Sequence, residues 1–60
     1  MNIEVTFNNG KIVEFPSVKE NTIKIDNNNN WSFNYGKNDS TAIIIMNNVN
    51  YMEIIEKNID

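Results

Sequence analysis

Histidine and cysteine are both absent from this 60-residue sequence, so the side chains most often used as general base and as thiol nucleophile are missing. Three Ser and three Thr remain. A hydroxyl attacks only when a base stands beside it, and no motif sets a Lys or a carboxylate next to one of these. Glu14, Glu20, Glu53 and Glu56 could supply carboxylates for acid–base work. They share no paired spacing, and scattered glutamates are ordinarily solvated surface. A zinc site would have to be built from carboxylates alone, an unusual ligand set for that ion. The stretches from Asp26 to Asn30 and from Asn38 to Ser40 offer oxygen ligands, without the alternating carboxylates and closing Glu of a calcium loop. Gly10 and Gly36 are too far apart to form one phosphate-cradling loop. These observations predict a protein that is not an enzyme and that uses no metal and no cofactor.

Binding chemistry is better represented. Trp31, Phe33 and Tyr35 alternate with Ser32 and Asn34, which puts three aromatic rings on one face of a strand. Rings displayed this way stack on bases in nucleic-acid-binding barrels. The plainer reading is that they form the core of a small protein with few other large residues, leaving Trp31 or Tyr35, at the strand's ends, to reach a ligand. A small anionic ligand would then meet one of those rings, Lys24 or Lys37 as a point charge, and Asn28 or Asn34 at its polar edges. Net charge argues against larger polyanions. It is −3, and the five cations are lysines spread along the chain at 11, 19, 24, 37 and 57. Duplex nucleic acid calls for a clustered basic stripe, so it is not an expected partner.

The elements that must position these residues read as short strands. Asn2 to Asn8 alternates strictly, with Ile3, Val5 and Phe7 on one side and Glu4 and Thr6 on the other. A two-residue turn at Asn9-Gly10 would mix the faces. A three-residue loop, Asn8-Asn9-Gly10, with Gly10 in the left-handed conformation pairs Val5 with Val13 and Ile3 with Phe15. Pro16 ends the second strand, and Val18 tucks beneath the connection that follows. Further strands are expected from Thr22 to Asp26, Trp31 to Tyr35 and Thr41 to Met46, separated by the turn Asn27 to Asn30 and the loop Gly36 to Asp39. Ile3, Val5, Val13, Ile23, Ile25, Phe33, Ile43 and Ile45 then make the core, and Ile44 points away from it. The last segment fits two patterns. Val49 to Ile54 has the cap, capping-box and staple residues of a helix start, with Tyr51, Ile54, Ile55 and Ile59 on one helical face. Its β-branched and aromatic residues favour instead a strand from about Met52 to Glu56 after a tight turn, and this is the expected form. The fold class is all-β, a single domain over residues 1–60: a small antiparallel meander, or an open barrel of five to six strands whose segment lengths resemble SH3-like and Sm-like folds.

Fourteen residues are Asn and ten are Ile, while Leu, Gln and Arg are missing. This is the texture of an AT-rich coding sequence, and it favours strands over helices. Val5-Thr6-Phe7 with Gly10-Lys11, together with Asn48-Val49-Asn50-Tyr51-Met52-Glu53-Ile54, resembles short phage-type all-β proteins of low-GC Gram-positive bacteria. The resemblance implies an accessory role in a phage or mobile element and no particular activity. Two functions follow as expectations. One is a non-catalytic protein acting stoichiometrically, by blocking a host factor or by sequestering a small ligand such as a nucleotide immune signal (an anti-defence role). The other is an SH3-like or Sm-like module for nucleic acid or peptide. A chain of this size buries only about 60% of its unfolded surface, and it has no disulfide. A homo-oligomer is therefore expected, with Ile44, Met46, Tyr51 and Met52 at its interface. No apolar run long enough to span a membrane and no secretion signal is apparent, so the expected location is the cytoplasm.

Overall fold

The computed structural model describes residues 1–56. Six strands form two three-stranded antiparallel sheets that face one another across one core and do not close into a barrel. The strands are β1 (Asn2–Phe7), β2 (Ile12–Phe15), β3 (Lys24–Ile25), β4 (Trp31–Tyr35), β5 (Ser40–Ile44) and β6 (Val49–Ile55). The first sheet has the order β2-β1-β6 and the second β3-β4-β5. This is the expected all-β class, a small antiparallel meander, in which β1 is also paired with β6, the last strand among the described residues.

The first hairpin has the expected register, with Ile3 opposite Phe15 and Val5 opposite Val13. The Phe7 N–H donates to the Lys11 carbonyl (2.8 Å), and the Gly10 N–H to that of Phe7 (2.9 Å). Gly10 sits at φ +88°, the left-handed position that closes the three-residue loop. The turn before β4 repeats this geometry. Asp26 N–H donates to the Asn30 carbonyl and Asn29 N–H to that of Asp26, both at 3.0 Å, with Asn29 at φ +63° where the first loop has glycine. Asn tolerates that conformation because its short polar side chain bonds locally. Pro16 follows β2 directly, and Val18 is buried.

The segment after β2 ties the sheets together. The Val18 N–H donates to the Met1 carbonyl (2.7 Å) at the start of the first sheet, and the Lys19 N–H to the Asn34 carbonyl (3.0 Å) in the second. A 3₁₀ turn, Glu20–Thr22, replaces the first part of the strand expected from Thr22. The Thr22 hydroxyl donates to the Lys19 carbonyl and accepts the Asn34 N–H, so a side chain supplies the ladder partner that the backbone would otherwise give. β3 shrinks accordingly to two residues. A second 3₁₀ turn, Met46–Asn48, leads into β6. The last segment is therefore a strand, starting a little earlier than expected; Lys57 and Ile59 lie outside the described residues. β6 carries one extra residue, Asn50, between the pairs Thr6–Tyr51 and Phe7–Val49. That bulge lets both Val49 and Met52 pack on the core although they are three residues apart.

The core consists of Ile3, Val5, Val18, Phe33, Ala42 and Ile44. This corrects the expected set: Ile25, Ile43 and Ile45 are exposed, and Ile44, expected to point away, is in the core. On β5 the exposure is 69% for Ile43 against 2% for Ile44. The cause is the parity of the four-residue loop Gly36–Asp39: it pairs Tyr35 with Ser40, hence Phe33 with Ala42 and Trp31 with Ile44. Cross-strand partners share a face, so the even-numbered residues of β5 join the aromatic rings, and Ala42 leaves room for Phe33. Ile25 pairs with Trp31 on that face but stays exposed, on the two-residue edge strand β3. Ile44 accordingly cannot serve at a subunit interface. Val13 and Ile23 are half-buried.

In dilute solution, Ile44→Ala should lower the unfolding free energy by about 2–5 kcal/mol, while Ile43→Ala changes it by no more than about 0.5 kcal/mol. Urea denaturation of the two variants checks this, and the reverse ranking would show the face of β5 misassigned.

Candidate functional site

Two of the sequence-predicted ligand residues meet. Lys24 and Trp31 line one open depression of about 340 Å³ with Ile25, Asp26, Asn30, Ser32 and Ile43. Lys24 lies opposite Ser32 and Ser32 opposite Ile43 on the outer face, while Trp31 and Ile25, paired with each other on the inner face, also line the depression. Asn30 is held in place by its own chemistry, its side-chain oxygen accepting the Met46 N–H at 3.1 Å. The Asp26 carboxylate is likewise engaged, accepting the N–H groups of Asn28 and Asn30. An anion here would meet Lys24 and also the negative charge of Asp26.

The other predicted residues are elsewhere. The Tyr35 ring packs edge-on against Phe15 (5.0 Å between centroids) and Phe33 (6.4 Å), so it belongs to the contact between the sheets. The Asn34 side chain accepts the Thr41 hydroxyl on the outer side of the second sheet. Asn28 and Lys37 stand exposed in separate turns. Of the expected interface residues, Tyr51 is exposed and Met46 and Met52 are half-buried. A second open depression, about 420 Å³, is lined by Phe7, Asn8, Asn9, Lys11 and Asn48. It joins the first hairpin to the Met46–Asn48 turn, through Asn8 N–H to the Asn48 carbonyl (2.8 Å) and Asn8 Nδ2 to the Asn47 carbonyl (2.9 Å). No sequence pattern pairs residue 8 with residue 48, so this depression was not legible.

The outer face of the first sheet shows a third feature. Glu4, on the central strand, lies directly opposite Glu14 on one side and Glu53 on the other. Three carboxylates therefore stand in one row, about 4.8 Å per step. The next row along the strands is Ile12, Thr6 and Tyr51, with Ile12 and Tyr51 61% and 57% exposed. No cation occupies any register position of this face among the described residues. The one ion pair among the described residues, Lys19 with Asp39 at 2.6 Å, belongs to the connection and loop beside the second sheet. The Asn2 amide donates to Glu14 at 3.4 Å, a long bond that offsets little. Among the described residues no three acidic groups converge on a point that could hold a metal ion. No Ser or Thr hydroxyl among them bonds to a Lys or a carboxylate; Thr22 and Thr41 bond to a backbone carbonyl and an amide oxygen.

Comparison with protein-family models, with curated proteins and with solved structures finds no match to this chain.

Like charges directly opposite on a sheet are destabilising, by roughly 0.2–1 kcal/mol per pair. Glu4→Gln removes both repulsive pairs at once and should raise stability by about 0.5–1 kcal/mol, a Tm rise of several degrees for a domain this small. Glu20→Gln, in the 3₁₀ turn away from the row, should leave Tm unchanged. Thermal unfolding at low ionic strength decides it, and a lower Tm for Glu4→Gln would show that the row is held by favourable contacts.

Proposed function

We propose that this chain is a non-catalytic binding protein, an accessory of a phage or mobile element that acts stoichiometrically in the cytoplasm by covering the surface of another protein. The observation that carries the reading is the exposure of large apolar side chains on the outer sides of both sheets: Ile12 and Tyr51 on one, Ile43 and Ile45 on the other. Both depressions are open to solvent, which suits contact with a surface better than enclosure of a small molecule. The hydroxyls bond without a base, and no helix among the described residues is long and apolar enough to cross a membrane. Self-association is part of the same reading. Ile43 and Ile45 rise from a face that is otherwise Ser32, Asn34, Thr41 and Lys24, nearly free of charge and so compatible with a second copy.

Sequestration of a small anion is the second reading, favoured by the meeting of Lys24, Asn30 and Trp31 in one depression. Two measurements separate the readings. Quantitative affinity capture from host extract should retain one protein in fixed stoichiometry, with retention lost in Tyr51→Ser or Ile43→Asp. Calorimetry against a nucleotide panel should show no binding tighter than about 100 μM. Tighter nucleotide binding that Lys24→Ala abolishes would move the function to sequestration, and capture indifferent to every outer-face substitution would overturn surface blocking.

A further inference from the structure

The outer face of the β2-β1-β6 sheet is uncovered among the described residues, and its two rows differ in chemistry. Ile12 and Tyr51 flank Thr6 as an apolar row; Glu14, Glu4 and Glu53 form the row beside it. Neighbouring rows on one face of a strand are about 7 Å apart. A sheet face carrying exposed Ile and Tyr is a contact surface in search of a cover. The charges select what that cover is.

A second copy of this chain stacked on the same face would bring two rows of three carboxylates together, with no cation at the register positions of the described residues to separate them. Nucleic acid would meet the same repulsion. A protein surface that sets Arg or Lys beside an apolar patch, about 7 Å away, meets both rows at once. Guanidinium groups suit closely spaced carboxylates because they donate in pairs. The fold itself offers no reason for the row, since any neutral polar residue at Glu4 would serve the sheet without the repulsion. Local rules broken at a cost to stability are expected where function demands them.

We propose that the outer face of the β2-β1-β6 sheet is the docking surface for a basic protein partner, with Ile12 and Tyr51 as the apolar anchors and Glu4, Glu14 and Glu53 as the charges that orient it. The inference rests on the surface-blocking function above and names its face and the chemistry of its partner. The carboxylates contribute by steering encounter and fixing register, the apolar pair by excluding water.

The test is an NMR titration of the ¹⁵N-labelled chain with a helical peptide carrying Arg and Leu on one face, beside a matched peptide in which every Arg is Glu. The Arg peptide should shift the amides of Thr6, Ile12, Glu14, Tyr51 and Glu53, and the Glu peptide should shift none. Replacing Glu4, Glu14 and Glu53 together with Gln should weaken the Arg peptide by roughly tenfold or more. That variant keeps its fold, which its dispersed spectrum and a Tm no lower than the parent's would establish. Shifts confined to Ser32, Thr41 and Ile43 would overturn the choice of face while leaving protein binding intact. Shifts on the proposed face that the triple variant does not weaken would overturn the basic partner. Movement of the Thr6 and Tyr51 amides on raising protein concentration alone would make a second copy the occupant and overturn the proposal. Silence toward both peptides would count against this inference and the surface-blocking function together.

Discussion

The whole structure hangs on the buried cluster that joins Ile3 and Val5 of one sheet to Phe33 of the other. These three side chains are the most deeply buried, and each comes from the central strand of its own sheet. A three-stranded sheet is stable only when one face is covered, and here each sheet is the other's cover. Phe15 extends the contact from the edge of the first sheet, meeting Phe33 and Tyr35 edge-on at 5.4 and 5.0 Å. Such aromatic pairs contribute about 0.5–1.5 kcal/mol beyond their burial. With no disulfide in the chain, this packing and the bonds of the segment from Pro16 to Lys19 are what hold the sheets together.

Because side chains alternate along a strand, the inward turn of Ile3 and Val5 fixes the outward turn of Glu4 and Thr6. β1 has partners on both sides, so whatever it displays is continued across three strands. The core contact thus also determines the row of carboxylates and the apolar row beside it. Fold and proposed docking face are two sides of one strand. That relation separates the energetics cleanly: substitutions at Ile3 or Val5 act on folding, and those at Glu4 or Tyr51 act on what the surface meets.

Much of this was legible locally. Asn8-Asn9-Gly10 and the parity of the residues around it determine the first hairpin, Pro16 its end, and the alternation of Trp31 to Tyr35 the aromatic side of β4. Lys24 and Trp31 meet because their strands are adjacent. The run Ile43-Ile44-Ile45 was not legible, since three identical side chains look the same in either orientation and only the loop from Gly36 to Asp39 sets which one turns inward. Tyr35 was expected to be available to a ligand, but Phe15 reaches it from the other sheet. Glu14 opposite Glu4 is contained in the register of the first hairpin, but Glu53 read as unrelated because the pairing of β1 with β6 joins segments far apart in sequence, and nothing in local pattern encodes such a contact. Physical reading of sequence is strongest where partners are close along the chain, and the β6 side of the proposed docking face is built from partners that are not.

Whether the Glu4 row is an unrelieved repulsion is decided by a double-mutant cycle on Glu4 and Glu53, with unfolding free energies of Glu4→Gln, Glu53→Gln and the double variant measured at low salt. Removing either member of a repulsive pair already abolishes the repulsion. The gains of the two single variants should therefore add up to more than the gain of the double variant, by about 0.5 kcal/mol. Additive gains would mean the two carboxylates do not feel each other, and a single variant less stable than the parent would mean that the row supports the fold; either result would contradict the account.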